Sequence, residues 1–116
     1  MTEHAGPVAL IATAEEELEK ASSASAGRSA RTIHGGGGHA LRQTLMALTA
    51  GTALGEHASP GEATLHVLVG RVRLSAGDSD SWELVAGDQM DIPDSRHDLA
   101  AIDDSAVLLS VVVGAK

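Results

Sequence analysis

The chain has no cysteine, no phenylalanine and no tyrosine, and one tryptophan among its 116 residues. Without thiols it can build no disulfide framework, no thiolate metal site and no cysteine nucleophile. With Trp82 as the one large aromatic, it has no platform on which bases or sugar rings could stack. Basic residues are also scarce: eight Lys and Arg stand against sixteen Asp and Glu, a formal net charge of -8, and the basic residues are scattered. A phosphate backbone would be repelled, so nucleic acid is not expected as a partner. No apolar run approaches the roughly 20 residues needed to span a bilayer, so no membrane partner is expected either. The stretch PVALIATA at 7–14 has the faint look of a signal-peptide core. It follows Glu3 and His4 rather than basic residues and runs directly into EEELEK, so it reads as ordinary structure in a cytoplasmic protein.

What is present suffices for one domain with one modest core, since 43% of the residues are hydrophobic. The chemistry available to it comes from His, carboxylates, hydroxyls and Arg. Residues 1–33 are rich in Ala, Ser and Glu and read as an N-terminal helix and linker. Thr13 is the expected cap, Glu15, Glu16 and Glu17 the expected first turn, and Leu10, Ala14, Leu18 and Ala21 recur on one face. That face is expected to pack on a sheet or a partner subunit.

Residues 34–116 form the second part. His34 and His39 flank four glycines, but neither the Lys-Ser or Lys-Thr ending of a phosphate loop nor a following helix pattern is there. His39 is a weak candidate metal ligand, and His34 a weaker one. From Ala40 the pattern is strand and turn: LRQTLMAL, ATLHVLVG, RVRLSAGD, SWELVAGD, QMDIP, DLAAI and, after Asp103-Asp104, AVLLSVVV. Val72 and Leu74 alternate with Arg71 and Arg73, which marks a strand with one wet face. Short strands with turns every 8 to 12 residues indicate an all-β sandwich or barrel.

Between Gly51 and His97 the chain resembles the cupin family. The first cupin motif runs Gly, five residues, His-x-His, three or four residues, Glu, six residues, Gly; Gly51, His57 and Gly70 match it. The second runs Gly, five residues, Pro-x-Gly, two residues, His; Gly87 and Pro93 match, Ser95 occupies the glycine position, and His97 arrives one residue early. The resemblance, closest to small single-domain bacterial cupins, implies a jelly-roll barrel (double-stranded β-helix) with one N-terminal α-helix. It also implies a site inside the barrel. In metal-dependent cupins the motif histidines and the Glu hold Fe, Mn, Ni, Cu or Zn. Here Ser59 replaces the second His and Ala63 stands in the Glu position, with Glu62 beside it.

Two readings stay open. One is a small-molecule-binding cupin with His57, Ser59, Glu62, Arg96 and His97 as ligand-binding groups. The other is a metal-dependent oxygenase, isomerase or lyase, in which His57 and His97 ligate a divalent transition metal and Glu62, His39 or the substrate completes the set. Acid–base chemistry by the two histidines without metal lies between them. A DNA-binding regulator is disfavoured by charge and by the lack of a second helix. Arg96 is expected to pair with Asp94 or Asp98 or to hold a substrate carboxylate. His66 is expected to point away from the pocket, and Trp82 to pack in a core or interface. A homodimer is expected because a barrel this small leaves apolar edge strands such as VLLSVVV that need more covering than the helix alone supplies.

Overall fold

The computed structural model describes residues 6–58 and 61–113. Helix α1 (Leu10–Ser23) precedes eight strands: β1 (Arg28–His34), β2 (Leu41–Leu48), β3 (Ala63–Val69), β4 (Arg71–Ala76), β5 (Asp80–Val85), β6 (Gln89–Asp91), β7 (His97–Ala101) and β8 (Ser105–Val112). They form a five-stranded sheet in the order β1-β2-β8-β3-β6 and a three-stranded sheet in the order β5-β4-β7. The segment from Gly51 to His57 runs antiparallel along β7, bridging it at Ala53–Ala100 and His57–His97. This is the all-β barrel with one N-terminal helix that the sequence predicts.

The central strands of the five-stranded sheet are covered on both faces. The sheet's inner face sends Leu48, Leu65, Val67 and Val107 against Val72, Leu74, Leu84, Leu99 and Ala101 of the smaller sheet. Its outer face sends Leu45, Ala47, Ala106 and Leu108 against Ala14 and Ala21 of α1. A strand buried on both sides needs an unbroken apolar run rather than an alternating one. That is why β8 reads AVLLSVV, and why it lies between β2 and β3 rather than at an edge. The homodimer expectation therefore loses its premise, because the exposed edges of this sheet are β1 and β6. Trp82 lies on the edge strand β5 and is 39% exposed, so it is not a core residue.

The helix departs from expectation at its start. It begins after Ala9 without a side-chain cap and carries no acid in its first turn. Thr13 lies inside it, where its Oγ1 donates to the Ala9 carbonyl at 2.9 Å. Residues 28–33, expected as linker, are most of β1, so the division at 33/34 runs through a strand that pairs with β2 from Arg28–Leu48 onward. The strand alternates Arg, Ser, Ala, Arg and Thr, too polar a pattern to stand out.

What β1 does for the helix is electrostatic. Ser29 and Arg31 face Glu17, whose side chain is 1% exposed. Ser29 Oγ donates to Glu17 Oε1 at 2.8 Å, Arg31 Nε donates to Oε2 at 2.9 Å, and Lys20 Nζ reaches Oε2 at 3.2 Å. Burial alone would raise the Glu17 pKa, but the hydrogen bonds from Ser29, Lys20 and Arg31 together outweigh it and hold the carboxyl below its ordinary value.

The turn joining β3 to β4 is a single residue, Gly70, at φ +88°. A Cβ there would strike the Asp104 carbonyl and Ser105 Oγ and lie 2.8 Å from Ser105 Cα. Ser105 is buried because its hydroxyl ties this corner: it accepts from the Arg71 N–H at 2.9 Å and donates to the Asp103 carbonyl at 2.7 Å. The glycine closing the first motif is thus dictated by conformation and by space.

Two outcomes are expected. Gly70→Ala combines a left-handed backbone with a steric overlap and should cost about 2–4 kcal/mol in urea unfolding; a loss under about 0.5 kcal/mol would contradict the packing. Glu17→Gln should lose about 1.5–3 kcal/mol at neutral pH. Because the folded pKa is lowered, the ionised Glu17 contributes fully above the ordinary carboxylate range, and its contribution disappears as pH falls through the folded value. Unfolding curves of the two proteins should accordingly converge in acid; a gap that stays constant with pH would show that charge is not its source.

Candidate functional site

His57 and His97 meet because the backbone pairs them. The His57 N–H donates to the His97 carbonyl and the His97 N–H to the His57 carbonyl, each at 2.9 Å. Directly opposite residues in an antiparallel pair send their side chains to the same face. The rings accordingly stand edge to face, with centroids 4.4 Å apart and planes at 71°. Asp98 Oδ1 accepts from the Gly55 N–H at 2.8 Å, and Leu54 N–H donates to the Leu99 carbonyl at 3.0 Å, so the segment is pinned along its length.

Each imidazole is also oriented by a carbonyl two residues before it. His57 Nδ1 lies 2.8 Å from the Gly55 oxygen and His97 Nδ1 lies 2.9 Å from the Ser95 oxygen. A carbonyl only accepts, so both Nδ1 atoms carry the proton, and in the neutral rings both Nε2 atoms keep a lone pair. That lone pair can accept a hydrogen bond from a ligand, take a proton or ligate a metal ion. The repeated spacing, Gly55-x-His57 and Ser95-x-His97, is the sequence signal for this arrangement, and it is visible only once the bridge is known.

Both rings line one cavity of about 40 Å³, whose other walls are the apolar side chains of Met46, Leu54, Leu65, Leu74, Ile92, Leu99 and Leu109. His97 is 3% exposed, whereas His57 stands at the open side. The space holds a few water-sized molecules. These wall residues were not singled out by the motifs, because each looks like ordinary core until the two sheets are apposed.

The other expected site residues lie elsewhere. Ser59 falls outside the described residues. Glu62 is exposed and lines a neighbouring groove with Thr64, Asp91 and Asp94, which meets the histidine cavity only at Ile92, because the alternation of β3 turns Ala63, Leu65 and Val67 inward. Arg96 pairs with Glu56 rather than with Asp94 or Asp98: its Nε donates to Glu56 Oε1 and an Nη to the Glu56 carbonyl, both at 3.3 Å. This exposed pair spans the outer side of the histidine bridge. His39 stands edge-on to His34 at 5.1 Å, and neither lines the cavity. His66 alternates away from the inward residues of β3, as expected.

The donor set does not fit a resident divalent metal. Stable sites take at least three protein ligands, and among the described residues no three His, Asp or Glu side chains are grouped to hold an ion. The two imidazoles have the orientation of ligands but no third partner among the described residues.

No family model and no curated protein matches the chain. Solved structures do. A conserved protein of unknown function from Streptococcus pyogenes is 24% identical, with a TM-score of 0.73 over 99% of this chain and 93% of its own. A cupin superfamily protein from Desulfitobacterium hafniense is 16% identical, with a TM-score of 0.66 over 74% of this chain and 77% of its own. The DMSP lyase DddQ from Ruegeria pomeroyi is 19% identical, with a TM-score of 0.65 over 77% of this chain and 48% of its own. KdgF from Halomonas sp. is similar too, at 16% identity and a TM-score of 0.63 over 73% of this chain and 79% of its own. The chain has the cupin fold, and its resemblance to the cupin superfamily extends from the motif glycines to the barrel itself. No helix is long and apolar enough to cross a membrane among the described residues.

The tautomers are open to measurement. Long-range proton–nitrogen correlation spectra of the neutral rings should show Nδ1 protonated and Nε2 bare in both His57 and His97. An Nε2–H tautomer in either ring would contradict the carbonyl contacts.

Proposed function

We propose that this protein binds a small molecule in its barrel, with an apolar body among Leu54, Leu65, Leu74 and Leu99 and a polar group against Nε2 of His57 and His97. The observation that carries this reading is the pair of carbonyl-oriented imidazoles lining an otherwise apolar cavity. An apolar pocket with a few convergent polar groups is the general form of a small-molecule site. The ligand's polar group meets two acceptors when the rings are neutral and a donor once either is protonated, so hydroxyl, amide and acidic groups all have a partner. Ser59 belongs to the same reading as a polar group close in sequence to His57. Arg96 and Glu56 contribute by fastening the 51–57 segment rather than by touching the ligand. Glu62, in its own groove, is not assigned to the pocket.

The metal-dependent alternative keeps one supporting observation. Metal-ligating histidines usually donate their second ring nitrogen to a carbonyl or carboxylate, as both rings do here. Enzymes stand among the structural neighbours, DddQ being named a lyase, but likeness at this identity supports the fold alone.

The two readings separate in one experiment on protein purified without an affinity tag. Small aliphatic alcohols and amides should shift the methyl resonances of Leu65, Leu74 and Leu99, and His97→Ala should weaken binding roughly tenfold, the loss of about one hydrogen bond. Insensitivity to His97→Ala would remove the histidines from the site. Near-stoichiometric uptake of Fe, Mn, Ni, Cu or Zn, lost in both His57→Ala and His97→Ala, would replace the proposal with the metal-dependent one.

A further inference from the structure

We propose that the ligand of the barrel is a small organic anion, its anionic head held by Arg28 and its aliphatic body passing between Met46 and Leu54 to reach His57 and His97. The inference rests on the small-molecule reading above and adds a ligand class and a route. It starts from a mismatch of size. Pockets for organic ligands are typically about 300 Å³ or more, and the histidine-lined cavity is about 40 Å³. A groove of about 220 Å³ lies next to it, bordered by Arg28, Ala30 and Leu48. Met46 and Leu54 line both spaces and form the partition between them.

The strand register explains the groove. Arg28 opposes Leu48 and Ala30 opposes Met46 across β1 and β2, so all four share the inner face, while Ser29 and Arg31 turn to Glu17 on the other. The facing sheet has three strands against five, and Arg28 and Ala30 are left exposed at the overhang. The partition is built from side chains that can move. Met46 and Leu54 are only partly buried. Methionine is unbranched and adapts to what it touches, and Leu54 sits on the 51–57 segment rather than inside a sheet strand. The proposed route opens when a change of rotamer at Met46 joins the groove to the cavity.

Charge selects the head group. Arg31, Arg71, Arg73 and Arg96 each lie within ion-pair distance of a carboxylate. No acidic side chain among the described residues pairs with Arg28 or Arg42, although the chain carries a net charge of -8, and of these two Arg28 is the one that borders the groove. An unneutralised guanidinium beside an apolar groove is complementary to an anion on an aliphatic body, and its planar fork suits a carboxylate.

The test compares hexanoate, hexanol and hexylamine as probes, followed by methyl resonances of the intact protein. Hexanoate should bind roughly tenfold more tightly than the other two and shift Met46, Leu54, Leu65 and Leu99. Arg28→Gln, at an exposed position, should abolish that advantage and leave hexanol binding unchanged. Equal binding of hexanoate and hexanol, or hexanoate binding indifferent to Arg28→Gln, would overturn the anion assignment while the barrel site stands. Hexanoate shifts confined to Met46 and Leu54, with hexanol still shifting Leu65 and Leu99, would overturn the route into the cavity. No shift at Leu65 and Leu99 with any of the three probes would overturn both this inference and the barrel site beneath it.

Discussion

A five-stranded sheet whose central strands must be dry on both faces is the constraint from which the rest of this molecule follows. β8, at its centre, has buried side chains pointing both ways. One face requires the second sheet and the other requires α1, so neither layer is an accessory. The helix meets the sheet through small residues, Ala14 and Ala21 against Ala47 and Ala106. That contact brings the backbones close and carries Glu17 into the interface, where a lone carboxylate would be costly. β1 answers the charge with Ser29 and Arg31, and in doing so becomes the strand that widens the sheet beyond its partner.

A sheet broader than the one facing it leaves part of its inner face uncovered, and Arg28 and Ala30 lie there. The residues of β1 thus divide by alternation into one set that secures the helix and another that borders the barrel. At the opposite wall the histidine pair depends on backbone pairing rather than on packing: two reciprocal hydrogen bonds put the rings together, and two carbonyls orient them. The two imidazoles stand together with no third His, Asp or Glu grouped beside them among the described residues.

Much of the barrel was legible because strands announce themselves by period. Val72 and Leu74 alternate with arginines, glycines end the runs, and Gly70 sits where only glycine fits. The meeting of His57 and His97 was legible through motif spacing. β1 was not, since RSARTIH buries neither a full apolar face nor a continuous run, and its role comes from Glu17 across the helix interface. The partner of Arg96 was missed because Glu56 is distant in sequence and becomes near only through the bridge. β8 read as a candidate edge because an apolar run says that a strand is buried without saying what lies on either side.

The sequence by itself determined the secondary structure of the barrel from β2 onward, the glycine turns and the identity of the two histidines, because these rest on local period, local conformation and residue chemistry. The tertiary structure decided which strand is central, that Glu62 belongs to another groove, and that Met46 and Leu54 separate a cavity from a groove. The physical reason is that each of these depends on which surfaces two sheets and a helix present to one another, a relation between residues far apart in the chain that no local pattern records.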